Sequence, residues 1–94
     1  MALEWDERKR LSNLRKHRID FADLEPMFEG PLSDKADQRR DYGEARRIAI
    51  GRVGGMIVSV VYTWRGEARR IISARRANRH EREDFYRHTV EEND

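Results

Sequence analysis

The sequence predicts an α+β fold: two N-terminal helices, a small antiparallel β-sheet and a C-terminal helix. Three observations carry this prediction. The first third of the chain alternates helix-capping residues with sparse apolar positions, Met56 to Thr63 is an almost unbroken apolar, β-branched run, and Asn78-Arg79-His80-Glu81 opens a final helical segment. Helices followed by strands and then a helix, with no internal repeat, is the order of an α+β architecture.

The elements follow in turn. Asp6 is a good N-cap and Glu7 lies where the helix dipole favours an acid, so a helix is expected over roughly 6–17. Leu11 and Leu14 mark its apolar stripe, and Lys16-His17-Arg18 place cations at its C-terminal end. Asp20 reads as a second N-cap before Phe21, Leu24 and Phe28, and Pro26 predicts a kink or an early end there. Gly30-Pro31 closes the helical half, and the charged stretch to Tyr42-Gly43 reads as loop or strand-edge turn.

Arg46 to Ile50 alternates as a strand does, Gly51–Gly55 reads as a glycine-rich turn, and Met56–Thr63 has the composition of a central strand covered on both faces. Arg70–Arg75 is the next strand. A hairpin loop centred on Gly66-Glu67 pairs Trp64 with Arg69, Tyr62 with Ile71, Val60 with Ser73 and Val58 with Arg75, which puts Arg75 on the Tyr62 face. A bulge would change that register. Asn78 and Glu81 form a capping-box pattern, Phe85 and Tyr86 are expected to dock the last helix, and residues 90–94 form an acidic tail expected to fray. The whole, 1–94, is read as one domain.

Composition narrows the function. With no cysteine there are no disulfides and no thiolate metal sites, and no stretch approaches the roughly 20 apolar residues of a membrane span. With no secretory leader in view, a cytoplasmic setting is expected. The net charge of +2 conceals an asymmetry: Lys35 to Arg79 holds twelve Lys/Arg against four Asp/Glu, whereas the rest holds eight against fourteen. Seventeen of the twenty cations are arginine, whose planar fork suits phosphate. The alternative is a solvated surface of arginines.

The pattern Trp5-Asp6-Glu7, Asn13, Lys16-His17, Ile19, Phe21, Pro31-Leu32, Gly43-Glu44, Arg46, Ile50-Gly51, Val61-Tyr62-Thr63, Arg65 and Ile71-Ile72-Ser73-Ala74-Arg75 resembles the BrnT toxins over residues 4–86. The resemblance implies a RelE-like fold and a metal-independent endoribonuclease, the toxin half of a type II toxin–antitoxin module. It further implies an RNA substrate, a BrnA-like antitoxin with a ribbon-helix-helix domain, operator DNA reached through that antitoxin, and no membrane. The chain departs from the pattern at Pro26, at Arg18, where a glycine often ends the first helix, and across Asp34–Asp41.

Metal-free RNA cleavage uses the 2′-hydroxyl as nucleophile and needs a proton carrier and cations around the reacting phosphate. The candidates are His17, Arg65 and Arg75 for catalysis, and Lys16, Arg46, Tyr62 and Arg70 for RNA binding. Five of them have a competing structural role. His17 is placed to bond the last helical carbonyls, Arg65 and Arg75 to pair with Glu44, Glu67 or Glu81, Arg46 to pair with Glu44, and Tyr62 to sit in the core. His80 and His88 read as surface residues, and Ser73 as a small strand residue. No cofactor is expected: His-x₃-His and paired-carboxylate motifs are missing, and Gly51–Gly55 lacks the Lys-Ser/Thr of a nucleotide loop. The competing function is a non-catalytic module that binds RNA or an acidic partner through the arginine-rich sheet.

Overall fold

The computed structural model describes the backbone of residues 2–93 and the side chains of residues 2–89. Along the chain come β1 (Leu3–Trp5), α1 (Glu7–His17), a 3₁₀ turn (Phe21–Asp23), α2 (Glu25–Glu29), β2 (Ser33–Ala36), β3 (Arg47–Val53), β4 (Met56–Arg65), β5 (Ala68–Arg76) and α3 (Arg79–Asn93). The strands form one five-stranded sheet in the order β1-β5-β4-β3-β2, antiparallel except that β1 runs parallel to β5.

The α+β class and the helical ends match the sequence reading, and the sheet is larger than expected. β1 is only three residues, too short to show a period. β2 (Ser-Asp-Lys-Ala) is polar because it is an edge strand, and charge at an edge discourages pairing with other chains. The expected glycine-rich turn also begins later. Gly51 lies within β3, where an added Cβ would sit 2.6 Å from Met27 Cγ, and the turn itself is Gly54-Gly55. Both hairpins turn on glycines with positive φ, 57° at Gly54 and 60° at Gly66, as two-residue loops that begin with Gly require.

The second expected helix is split. Asp20 caps the 3₁₀ turn by accepting from the Ala22 amide at 2.9 Å, and Pro26 lies in the first turn of α2, where a missing N–H costs nothing. Arg18 ends α1 in the left-handed region at φ 60°, its N–H reaching the Leu14 carbonyl at 3.0 Å.

Two apolar layers sandwich the sheet. On one face Val58, Val60, Tyr62, Ala49, Ile71 and Ala74 pack against Ile19, Phe21, Leu24, Met27 and Phe28 from the N-terminal half. On the other, Ile50 and Ile57 meet Ala77 and Phe85, with Ile48 beside them. Each large apolar side chain buried this way contributes about 1.5–3 kcal/mol. The expected stripe of α1 is corrected here: Leu11 is 43% exposed, and the residue α1 buries is Asn13. Its amide donates to the Ile19 carbonyl at 3.1 Å and accepts the Ala74 N–H at 3.0 Å, so a polar clamp, not a leucine ridge, ties α1 to β5. Tyr86, expected to dock α3, is 46% exposed; only Phe85 is buried.

The β4–β5 register agrees with the sequence reading near the turn, at Trp64↔Arg69 and Tyr62↔Ile71, and departs from it beyond. Ile72 is an extra residue, so Val61 pairs with Ser73, Val60 with Ala74, Ser59 with Arg75 and Val58 with Arg76. The bulge turns Arg75 to the α3 face, not the Tyr62 face. The acidic tail expected to fray falls on residues whose side chains, and for Asp94 the whole residue, lie outside those described.

Two outcomes follow for stability. Arg18→Gly should stabilise the protein by about 0.5–1 kcal/mol in urea titration, since a non-glycine residue in the left-handed region costs about 1–2 kcal/mol, part of it offset by the greater unfolded-state freedom of glycine. Asn13→Ala should destabilise by roughly 2–4 kcal/mol, because it strands a buried donor and a buried acceptor at about 1–3 kcal/mol each.

Candidate functional site

β5 carries the chemistry-bearing side chains, and the bulge decides how they are shared. After Ile72, Ser73 and Arg75 point to the same face, about 7 Å apart along the strand. α3 packs over β2 and β3, which leaves Val61, Ser73 and Arg75 half-exposed on the β4–β5 part of that face. On its outer side runs a groove lined by Lys9, Ser12, Lys16 and His17 of α1 together with Ile72 and Ser73. Thus Lys16 and His17 stand across a groove from Ser73, one alternation along β5 from Arg75. His17 itself is exposed and, among the described residues, does not bond the helix-end carbonyls.

Arg75 is held firmly. Its Nη1 and Nη2 donate to the two Glu81 oxygens at 2.7 and 2.9 Å, and Nη1 also reaches the Arg76 carbonyl at 3.1 Å. Glu81 is fixed in turn by the capping box: it accepts from the Asn78 amide at 2.9 Å while Asn78 Oδ1 accepts from the Glu81 amide at 2.9 Å. Ser59 Oγ donates to Glu81 from 3.3 Å. The pair uses the end of the guanidinium, and the adjacent Nε–H and remaining Nη2–H point along its other edge, a second fork of the kind that matches a phosphate. Burial works against the charge on Glu81, but the Arg75 hydrogen bonds and the Asn78 amide prevail, and its carboxyl lies below the usual 4.5.

The other candidates are more scattered. Arg65 is exposed at the far end of β4, six residues and roughly 20 Å from the Ser59 position opposite Arg75, in a hollow shared with Ala2, Trp64, Glu67 and Ala68. It does not share a cavity with Arg75 or His17. Arg70 pairs with Glu4 of β1 at 2.7 Å and joins the two strands on the α3 face. Arg46 pairs with Glu44 at 3.2 Å and stacks on Tyr42, 4.1 Å from the ring centre. Tyr62 is 1% exposed: its ring is covered by Phe28, Trp64 and Arg69, and its hydroxyl donates to Asp34, so it has no open face for a base.

Sequence reasoning passed over a second hollow, of about 370 Å³, on the inner side of Arg75. It lies between the start of α3, the end of β2 and the loop after it, with Ile48 and Ile50 beneath and Lys35, Gln38, Arg39, His80 and Asp84 around it. The available signal was helical spacing: Glu81, Asp84 and Phe85 fall on one face of α3, and Phe85 had already been assigned to the core. Among the described residues no three His, Asp or Glu side chains converge as metal ligands, and no helix is long and apolar enough to cross a membrane.

A half-open basic strand between two helices, with a groove lined by Lys16 and His17 on one side, is the equipment of a protein that handles a polyanion, and comparison identifies the class. The family model for the ribonuclease toxin BrnT of type II toxin–antitoxin systems matches residues 5–81, and the chain belongs to that family of endoribonuclease toxins. Among solved structures it is similar to the Brucella abortus ribonuclease toxin BrnT, at 41% identity and a TM-score of 0.65, over 84% of this chain and 99% of that one. A comparison with curated proteins found no match.

The Arg75–Glu81 pair has a consequence for acid stability. A carboxyl held below its usual value contributes stability that is complete above pH 4.5 and is lost as pH falls through its lower, folded-state value. The melting temperature should therefore drop on acidification below pH 4.5, and Glu81→Gln should flatten that part of the profile while lowering stability at pH 7.

Proposed function

We propose that this toxin cleaves RNA without a metal ion, with Arg75 as the phosphate contact at the reacting centre and His17 as the proton carrier across the Ser73 groove. The observation that carries the proposal is the division of the Arg75 guanidinium: its end is committed to Glu81, while Nε has no hydrogen-bond partner among the described residues on a side chain that is 38% exposed. A guanidinium already immobilised loses little freedom on gripping a phosphate, which is the requirement for stabilising charge that builds up only in the transition state. The 2′-hydroxyl attacks the adjacent phosphorus, its proton passes to the imidazole, and the P–O5′ bond breaks as the 5′-oxygen takes a proton from solvent water, giving a 2′,3′-cyclic phosphate and a 5′-hydroxyl end. Lys16, one residue from His17 and lining the same groove, adds a cation for the neighbouring phosphate.

Arg65, Arg70 and Arg46 act at a distance from the cut in this scheme. Arg65 contacts the RNA strand beyond the reacting phosphate, whereas Arg70 and Arg46 shape the surface through their ion pairs. In its cellular setting, the proposal couples the toxin to a BrnA-like antitoxin with a ribbon-helix-helix domain, in a complex that binds and represses its own operator. It also groups the fold with the RelE-type toxins, a reading supported by helices packed on a mainly antiparallel sheet.

The test is cleavage of a defined transcript in EDTA with analysis of the new ends. Cyclic phosphate ends are expected, with activity lowered by roughly 10²–10³ in Arg75→Ala, the size of effect seen when a transition-state donor is removed. His17→Ala should lower it by about 10²–10⁴. Ends bearing 5′-phosphate, or full activity in either folded variant, would overturn the assignment.

A further inference from the structure

We propose that the hollow between β2, the loop after it and α3 is a nucleobase subsite that selects guanine beside the phosphate held by Arg75. The inference rests on the ribonuclease reading of that phosphate contact and adds to it a recognised base. The hollow has the make-up of a ligand site: about 370 Å³, an apolar floor of Ile48 and Ile50, and polar groups converging from three elements. Arg75 lines it, so a nucleotide whose phosphate lies on the open Arg75 fork has its base within reach of that floor.

The choice of base follows from which acceptors are still available. Asp37 spends both oxygens on Arg39, at 2.8 and 2.9 Å, and Glu81 spends both on Arg75, the Asn78 amide and Ser59. Asp84 differs. Its side chain is 21% exposed, and its nearest cations, Lys35 and Arg87, stand at 3.7 Å, too far for a hydrogen bond. Among the carboxylates lining the hollow, Asp84 alone has an ion pair but no hydrogen bond on each oxygen, so both can still accept.

Two adjacent acceptors match the paired N1–H and N2–H donors of guanine. Adenine and cytosine would each set a ring-nitrogen acceptor against the carboxylate, and uracil would offer a single N3–H and set a carbonyl oxygen against the second carboxylate oxygen. Lys35, 3.7 Å from Asp84 Oδ2, and the Gln38 amide line the same hollow and supply donors for guanine O6 and N7. Recognition on the Watson–Crick edge of an unstacked base is the usual way that single-stranded RNA is read.

The experiment maps cut sites on a transcript of mixed sequence and titrates the four nucleoside 5′-monophosphates against the folded protein, followed by amide chemical shifts. Enrichment of guanine at one position beside the cut is expected, together with tighter binding of GMP that shifts Ile48, Ile50 and Asp84. Asp84→Asn, which replaces one acceptor with a donor, should reduce the guanine preference by roughly tenfold or more. Gln38→Ala, on the exposed loop, should weaken the preference in the same direction and serves as the readout if the Asp84 variant does not fold.

An unchanged base preference in the folded variants, or equal binding of all four nucleotides, would overturn the subsite. Absence of cleavage by the folded wild type would instead count against the ribonuclease assignment of Arg75 and His17, and the nucleotide titration would still decide the subsite.

Discussion

One extra residue in β5 sets the relation between the core and the functional face. Were the β4–β5 ladder regular, Arg75 would enter the layer that holds Val58, Val60 and Tyr62, among apolar side chains and away from Glu81. A guanidinium buried without a partner costs several kcal/mol, far more than a local loss of ladder pairing. The bulge at Ile72 avoids this by reversing the alternation between Ile71 and Ser73. Ile71 stays in the core with the residues near the turn, Ala74 rejoins it, and Ser73 and Arg75 are delivered to the opposite face. Bulges recur beside active sites because they re-aim side chains without rebuilding the sheet.

The basic middle of the chain is less of a uniform polyanion grip than its composition suggests. Arg39, Arg46, Arg47, Arg70 and Arg75 each have a carboxylate partner within 3.2 Å, several of them joining different strands or helices. Arg69 instead lies over the rings of Phe28 and Trp64, 4.4 and 4.5 Å from their centres. Exposed pairs of this kind contribute about 0–1 kcal/mol apiece, so their larger effect is to fix guanidinium orientation. For Arg75 that orientation commits the end of the guanidinium to Glu81 and leaves its Nε edge outside the pair.

Local chemistry was legible and tertiary chemistry was not. The Asp6 cap, the Asn78–Glu81 capping box and the Gly66 turn are each dictated within a few residues, and each stands where the sequence placed it. The bulge was illegible because Ile71 and Ile72 are both apolar, and either could have faced the core. β2 was hidden by its polarity. With β2 unseen, the only trace of the hollow between it and α3 was the helical spacing of Glu81, Asp84 and Phe85, and His80 read as ordinary surface. Arg65 and Arg75 stood together in one motif-like stretch, yet a strand that runs straight between them keeps them at opposite ends.

The Asn13 clamp reaches beyond its own two hydrogen bonds. β1 pairs with β5 only as far as Ile71, so the outer edge of β5 past that point is left without a neighbouring strand. An open edge is a template for another copy of the chain, and here it belongs to a long, largely apolar hairpin. By taking the Ala74 N–H into its side-chain amide, Asn13 closes that edge with a helix. A residue that looks like an odd polar intrusion into the core thus stands in for the strand that β1 does not supply, occupying a backbone donor on the β5 edge with a helix side chain.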